Sequence, residues 1–304
     1  MKTNRLGKTG LQVSEIGFGG EWLERHPEEE SIELIRYASS KGINILDCWM
    51  PDPKSRNIIG EGIKENRGQW FIQGHIGSTW KDEQYYRTRD MKYVRPAFED
   101  LLKRLQTDYL DLLLLHRPDA LVEPEEVAAA FDVLFESGKV RHFGVSNHKP
   151  MQIALLQKYV RQPLVVNQVQ FSIPVSNLVA NGMEVNMETP GSVDHDGSLL
   201  DYCRLHDITL QAWSPFQMPS WKGCFLGSDE YPELNQKIRV LAEKYGVSDT
   251  TIAAAWILRH PANMQLVTGT ASEKRLKEII AACNITLTRE EWYELYLAAG
   301  HPLP

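Results

Sequence analysis

The sequence predicts one α/β domain over residues 1–304, a (β/α)8 barrel of the TIM type with an N-terminal β-hairpin plug. Three observations carry this prediction. Apolar, β-branched runs alternate with helix-period segments along nearly the whole chain, the order expected of βαβ units and an all-parallel sheet. Residues 109–117, Tyr-Leu-Asp-Leu-Leu-Leu-Leu-His-Arg, form a run apolar enough to be buried on both faces, as strands of parallel sheets are. Finally, the predicted strands end in polar groups, and in a closed barrel those ends converge on one mouth.

Taken in order, Thr9–Val13 with Ser14–Gly20 reads as the short hairpin across the barrel floor. Strands follow at Ile43–Asp47, Trp70–His75, Tyr109–Leu115, His142–Ser146, Leu164–Gln168, Thr209–Ser214 and Met264–Gly269. Helices are expected at Glu28–Ser40, Lys54–Asn66, Val94–Leu105, Pro124–Ser137, Pro150–Val160, Ser198–His206, Asn235–Tyr245, Asp249–Arg259 and Ser272–Ala282. Gly42 and Gly138 stand where helices end, the usual place for a left-handed closing residue. An open doubly wound sheet would give the same alternation, but no G-x-G-x-x-G turn follows an early strand. Ser172–Gly197 and Gln217–Glu233 are longer irregular segments, expected to wall a site.

The polar strand ends are Asp47, His75, His116, Ser146-Asn147, Asn167-Gln168, Ser214 and Thr268-Gly269-Thr270. Each has a structural reading, such as a capping carboxylate for Asp47 or a hydrogen-bonded imidazole for His116. Their shared position favours a common pocket. Ser146, Asn147 and Gln168 supply short hydroxyl and amide groups suited to a planar carboxamide, and Trp213 supplies a ring to stack on. Gly269 and Thr270 open a helix near Ser272 that carries Lys274 and Arg275, a combination of turn, helix N-terminus and cations that suits phosphate.

Composition narrows the function. Hydrophobic residues are 42% and charged residues 24% of the chain, as in ordinary globular proteins. A net charge of −7 argues against nucleic acid or an anionic membrane as partner. There is no apolar run of membrane-spanning length, and the first residues lack the apolar segment of a signal peptide. The four cysteines, Cys48, Cys203, Cys224 and Cys283, show neither zinc spacing nor a disulfide framework; no metal is expected, and reduced thiols point to the cytoplasm.

These residues resemble the aldo-keto reductase superfamily over essentially the whole chain. The resemblance is carried by Leu6-Gly7-Lys8-Thr9-Gly10-Leu11, Ile16-Gly17-Phe18-Gly19-Gly20, Leu112–His116 with Arg117-Pro118, and Gly138–Asn147. Asn167-Gln168, Gln211-Ala212-Trp213-Ser214-Pro215 and Gly269 to Leu276 complete it. It implies a TIM barrel that holds an extended nicotinamide dinucleotide without a Rossmann domain. Ser146, Asn147 and Gln168 match the positions that hold the carboxamide, and Trp213 the aromatic that stacks on the nicotinamide. Ser214, Pro215, Phe216 and Gln217 match the loop along the pyrophosphate; Gly269, Thr270, Ser272, Lys274 and Arg275 match the adenosine-phosphate pocket. Two cations beside two hydroxyls favour NADP over NAD.

The catalytic set departs from the family. Asp, Tyr, Lys and His are expected; Asp47 and His116 match, but Asp52 stands at the Tyr position and Gln73-Gly74-His75 where the Lys belongs. A phenol of pKa near 10 needs a neighbouring cation to act as an acid at neutral pH, and both parts are missing. Asp47, Asp52, His75 and His116 are therefore the expected acid–base cluster, an imidazole near pKa 6.5 needing little tuning. Tyr85 and Tyr86 are weaker substitutes. Three readings follow: an oxidoreductase on a carbonyl, alcohol or sugar-like substrate, a redox-neutral lyase or isomerase-like enzyme that keeps the nicotinamide, and a cofactor-binding protein without turnover. Trp22, Trp49, Trp80 and Trp221 suggest aromatic walls.

Overall fold

The computed structural model describes residues 1–49, 53–81, 84–87 and 91–304. The N-terminal hairpin pairs β1 (Thr3–Arg5) with β2 (Gln12–Ser14), and β3 (Ile16–Gly19) is the first barrel strand. There follow α1 (Glu28–Ser40), β4 (Ile45–Cys48), α2 (Pro53–Ile63) and β5 (Phe71–Ile76). A second hairpin, β6 (Ser78–Lys81) and β7 (Gln84–Arg87), precedes α3 (Met91–Arg104). Then come β8 (Leu110–His116), α4 (Pro124–Glu136), β9 (Val140–Ser146), α5 (Pro150–Tyr159) and β10 (Leu164–Gln170). The chain closes through α6 (Asn177–Met183), α7 (Leu199–Leu205), β11 (Thr209–Trp213), α8 (Pro232–Tyr245), α9 (Asp249–Leu258), β12 (Gln265–Thr268), α10 (Glu273–Ala281) and α11 (Arg289–Ala298). Strands β3, β4, β5, β8, β9, β10, β11 and β12 close into one parallel barrel, with β12 returning to β3.

The predicted barrel and hairpin are both present, but the hairpin lies earlier than the sequence suggested. Ile16–Gly19 is buried at every position, so it satisfies its backbone between two neighbours, β4 and β12, rather than at the edge of a ribbon. The hairpin plugs the floor. Its Leu6 and Val13 are buried against Ile45, Leu112, Leu114, Val165 and Val166 inside the barrel. Gly7 makes the close approach possible: its φ is +50°, and a Cβ there would stand 2.4 Å from the Val165 carbonyl oxygen.

Two other differences have simple causes. Tyr85 and Tyr86, expected in a loop, belong to β7, in keeping with the strand preference of aromatic residues. Ser172–Gly197 contains α6 and contributes nothing to the cleft lining described below, whereas Gln217–Glu233 does. The outer layer closes on an aromatic stack: Trp256 and Trp292 lie 4.6 Å apart at 7° and each indole N–H donates to the other's backbone carbonyl at 3.0 Å. That lock fastens α11 to α9.

Candidate active site

A cleft of about 550 Å³ opens at the C-terminal ends of the barrel strands, within the size range of small-molecule sites. Thirteen of the predicted site residues line it: Asp47, His116, Ser146, Asn147, Gln168, Trp213, Ser214, Pro215, Phe216, Gln217, Gly269, Thr270 and Arg275. Three do not. His75 sits beneath the lining with a side chain 2% exposed, Ser272 caps α10 by accepting from the Arg275 N–H, and Lys274 is exposed on the first turn of that helix. Asp52 and its neighbours 50 and 51 lie outside the described residues. Trp22, Trp49 and Trp221 line the cleft; the side chain of Trp80 lies outside the description, as do those of Tyr85 and Tyr86.

The floor of the cleft is a polar network built around Asp47. Asp47 leaves the barrel on β4, and both carboxylate oxygens are used: Oδ1 accepts from His75 Nε2 at 2.8 Å and Oδ2 from Gln168 Nε2 at 2.7 Å. The proton therefore belongs on Nε2 of His75, leaving Nδ1 buried with no partner among the described residues. His75 thus meets Asp47 from the third-strand position at which the resemblance leads one to expect a lysine. Gln168 also donates to Gln211 Oε1 at 3.2 Å, Gln211 donates to Gln265 Oε1 at 2.8 Å, and Gln265 donates to the Ser14 carbonyl at 2.6 Å. These three glutamines are register partners on β10, β11 and β12, so a row of amides crosses the barrel and fixes Asp47. Buried amides of this kind hold only when each finds a partner.

Around the rim, three residues immediately after barrel strands adopt the left-handed conformation: Arg117 (φ 59°), Asn147 (φ 58°) and Ser214 (φ 50°). Such conformations cost on the order of 1–3 kcal/mol for most residues and gather at binding sites. Asn147 Nδ2 donates to Ser146 Oγ at 2.7 Å, its Oδ1 accepts from Trp213 Nε1 at 3.1 Å, and Ser146 Oγ donates to the Gln168 carbonyl at 3.0 Å. The spent Gln168 nitrogen leaves its Oε1 to accept from a ligand NH2. Trp213 is stacked at 5.2 Å and 20° by Trp221, which is 63% exposed. His116 projects from β8 with its ring 5.2 Å from that of Trp49 and 6.0 Å, edge-on, from that of His75. Asn167 does not reach the cleft; its amide bonds the backbone of His148 in both directions and holds the turn after β9.

One cleft residue escaped the sequence reading. Glu21 follows the end of β3 and lines the cleft. Burial, reinforced by the negative charges of Asp47 and Glu24, pushes its carboxyl up to about 7 against the pull of Arg25. The signal was available: every other barrel strand was read as delivering a polar group to the mouth. With Ile16–Gly19 assigned to the hairpin, the strand that delivers Glu21 went uncounted.

A closed parallel barrel whose carboxyl-end cleft gathers a carboxylate–imidazole pair, amides, a stacking indole and an arginine defines the class. A model of the Aldo/keto reductase family matches residues 15–296, and the chain belongs to that family. It is 34% identical to a 6-dehydroglucose reductase of Agrobacterium fabrum over 68% of this chain and 63% of that protein, so the match spans somewhat less than two thirds of that relative's length. It is 29% identical to a 6-dehydroglucose reductase of Novosphingobium aromaticivorans over 99% of this chain and 96% of that one. Among solved structures, an aldo/keto reductase from Klebsiella pneumoniae in complex with NADP and acetate superposes with a TM-score of 0.77, at 23% identity, over 100% of this chain and 96% of that one.

Proposed function

We propose that this protein is an NADP-dependent oxidoreductase that interconverts a small, sugar-like carbonyl compound and its alcohol, in a cytoplasm where its four thiols stay reduced. One observation carries the proposal: a single cleft joins the amide cluster of Ser146, Asn147 and Gln168 to Arg275 by way of Trp213 and Ser214–Gln217. The residues present fit a nicotinamide dinucleotide. The open Gln168 Oε1 and the Ser146–Asn147 pair match a carboxamide, Trp213 offers a stacking face, and Gly269-Thr270 with Arg275 face the phosphate end. Reduced NADP, when bound, supplies the hydride, and the protein supplies binding, orientation and the proton. The two 6-dehydroglucose reductases among the relatives support a sugar-like substrate, and the NADP held by the Klebsiella protein supports the cofactor.

His116 stands on the cleft and takes the substrate oxygen as a hydrogen-bond donor. The Asp47–His75 pair beneath it, with Asp52 as a further candidate, forms the acid–base set that replaces the absent Tyr and Lys. Partners are small molecules. Among the described residues no helix is long and apolar enough to cross a membrane.

Two titrations test the reading. NADPH is expected to quench tryptophan fluorescence more tightly than NADH, and its absorbance is expected to fall with at least one member of a panel of aldehydes, ketones and sugars. Binding of NADPH without consumption across the panel makes the protein a cofactor-binding protein. Absence of binding overturns the proposal.

A further inference from the structure

We infer that the barrel interior binds a water molecule between Gln73 and His75, and that Gln73 acts through it as a positioning residue for the Asp47–His75 pair; the positioning role rests on the oxidoreductase reading above. Three polar atoms carry the inference. Gln73 Nε2, Gln73 Oε1 and His75 Nδ1 are buried without a hydrogen-bond partner among the described residues. Gln73 is 0% exposed, and neither it nor His75 lines the cleft. Both lie on β5 two positions apart, so their side chains leave the same face of the strand. That face is the inner one. Their register partners on β8, Leu112 and Leu114, belong to the cluster that fills the barrel floor with Leu6, Val13 and Ile45.

The polar side chains around this face are already committed. Gln73 pairs in register with Asp47 on β4, but the Asp47 oxygens are held by His75 Nε2 at 2.8 Å and Gln168 Nε2 at 2.7 Å. The amides of Gln211 and Gln265 are joined to each other, to Gln168 and to the Ser14 carbonyl. The leucines beside β5 offer nothing polar. A buried amide or imidazole nitrogen left without a partner is costly, and native interiors pair such groups with protein or with water. One donor and two acceptors on one face are the complement of a water molecule, and buried waters make about three hydrogen bonds. The water accepts from Gln73 Nε2 and donates to Gln73 Oε1 and His75 Nδ1. A donor at Nδ1 keeps the His75 proton on Nε2, so the imidazole goes on donating to Asp47 and is fixed in one tautomer. Gln73 thereby steadies the acid–base pair from below, without touching the cleft.

The test compares wild type with Gln73→Leu, first without turnover. A crystal structure fine enough to order internal waters is expected to show density within hydrogen-bond distance of Gln73 and of His75 Nδ1 in wild type, and none there in Gln73→Leu. In ¹⁵N-histidine spectra the His75 Nδ1 resonance, assigned by its loss in His75→Asn, is expected to move downfield in Gln73→Leu as its donor is removed. Gln73→Leu is expected to melt at or below wild type because it strands His75 Nδ1; an amide truly without partners would make the leucine variant melt higher. In turnover, kcat is expected to fall about tenfold, the factor one hydrogen bond carries, with the NADPH Kd unchanged. Wild-type crystals without that density, an unmoved Nδ1 resonance, or a leucine variant that melts above wild type overturn the water site. A kcat equal to that of wild type overturns the positioning role. If wild type binds NADPH and never consumes it, the oxidoreductase reading has failed and the positioning role falls with it, while the density and the resonance still decide the water site.

Discussion

Asp47 is the residue through which the site is organised, since it joins the imidazole of His75 to the amide row of Gln168, Gln211 and Gln265. Asp47→Asn keeps the shape but replaces one acceptor by a donor that faces another donor. Its kcat is expected to fall at least about 10²-fold, while circular dichroism stays that of wild type; a rate near wild type would remove Asp47 from the chemistry. His116→Ala is expected to lower kcat by a similar factor with NADPH affinity unchanged, which single-turnover and equilibrium titrations separate. The bare sequence was informative here because strand-end position named Asp47, His116, Ser146, Asn147, Gln168, Ser214, Gly269 and Thr270, all of which line the cleft. It did not show that the strand turns His75 inward to Asp47, beneath the cleft lining, and it missed Glu21, whose strand is too short to be told from a hairpin arm by pattern. Ser272 shows a third limit: a serine before a helix serves equally well as a cap or as a ligand group, and only the Ser272 Oγ to Arg275 N–H bond shows that it caps.

At the scale of elements, the hairpin and the barrel floor depend on one glycine. Gly7→Ala must move the Val165 carbonyl, and it adds a side chain to a left-handed residue. A loss of roughly 2–4 kcal/mol is expected, from the strain of the conformation together with overpacking, measured by denaturant unfolding. An unchanged midpoint would mean the hairpin is not docked. The turn after α9 carries an acid-sensitive element. His260 is pushed down to about 4 by burial and by Arg204, with Asp201 pulling the other way, and its Nδ1 accepts from the Ala262 N–H at 3.1 Å. Burial lowers His142 and His301 as well. For such groups the folded state stays neutral while the unfolded chain takes up protons, so stability is complete above about pH 6.5 and declines toward pH 4. His260 alone contributes up to about 3 kcal/mol to that decline. His260→Asn is expected to flatten the acid limb of a melting-temperature profile, and an unaltered limb would contradict the burial of that imidazole.

For the whole molecule, the order of strands and helices was legible because a parallel barrel buries each strand on both faces, and uninterrupted apolar runs such as Leu112–Leu115 follow from that. Closure was legible only by inference from polar strand ends, since the pairing of β12 with β3 joins residues some 250 positions apart and leaves no local trace. The last helix, α11, went unread for the same reason. It is amphipathic only weakly, and its place is set by Trp292 against Trp256, a contact that spans the surface of the barrel. On the proposed reading, this family barrel is a reductase scaffold with an altered proton-transfer set, and hydride chemistry without the usual Tyr and Lys is the point to test. The most direct measurement uses NADPH deuterated at the nicotinamide C4 position transferred to the enzyme, with a panel of sugar aldehydes and ketones and mass analysis of the alcohols formed. A product carrying one deuteron is expected from wild type and is expected to be lost in His116→Ala. An intact pool of deuterated NADPH, bound yet never giving label to any alcohol, would contradict it.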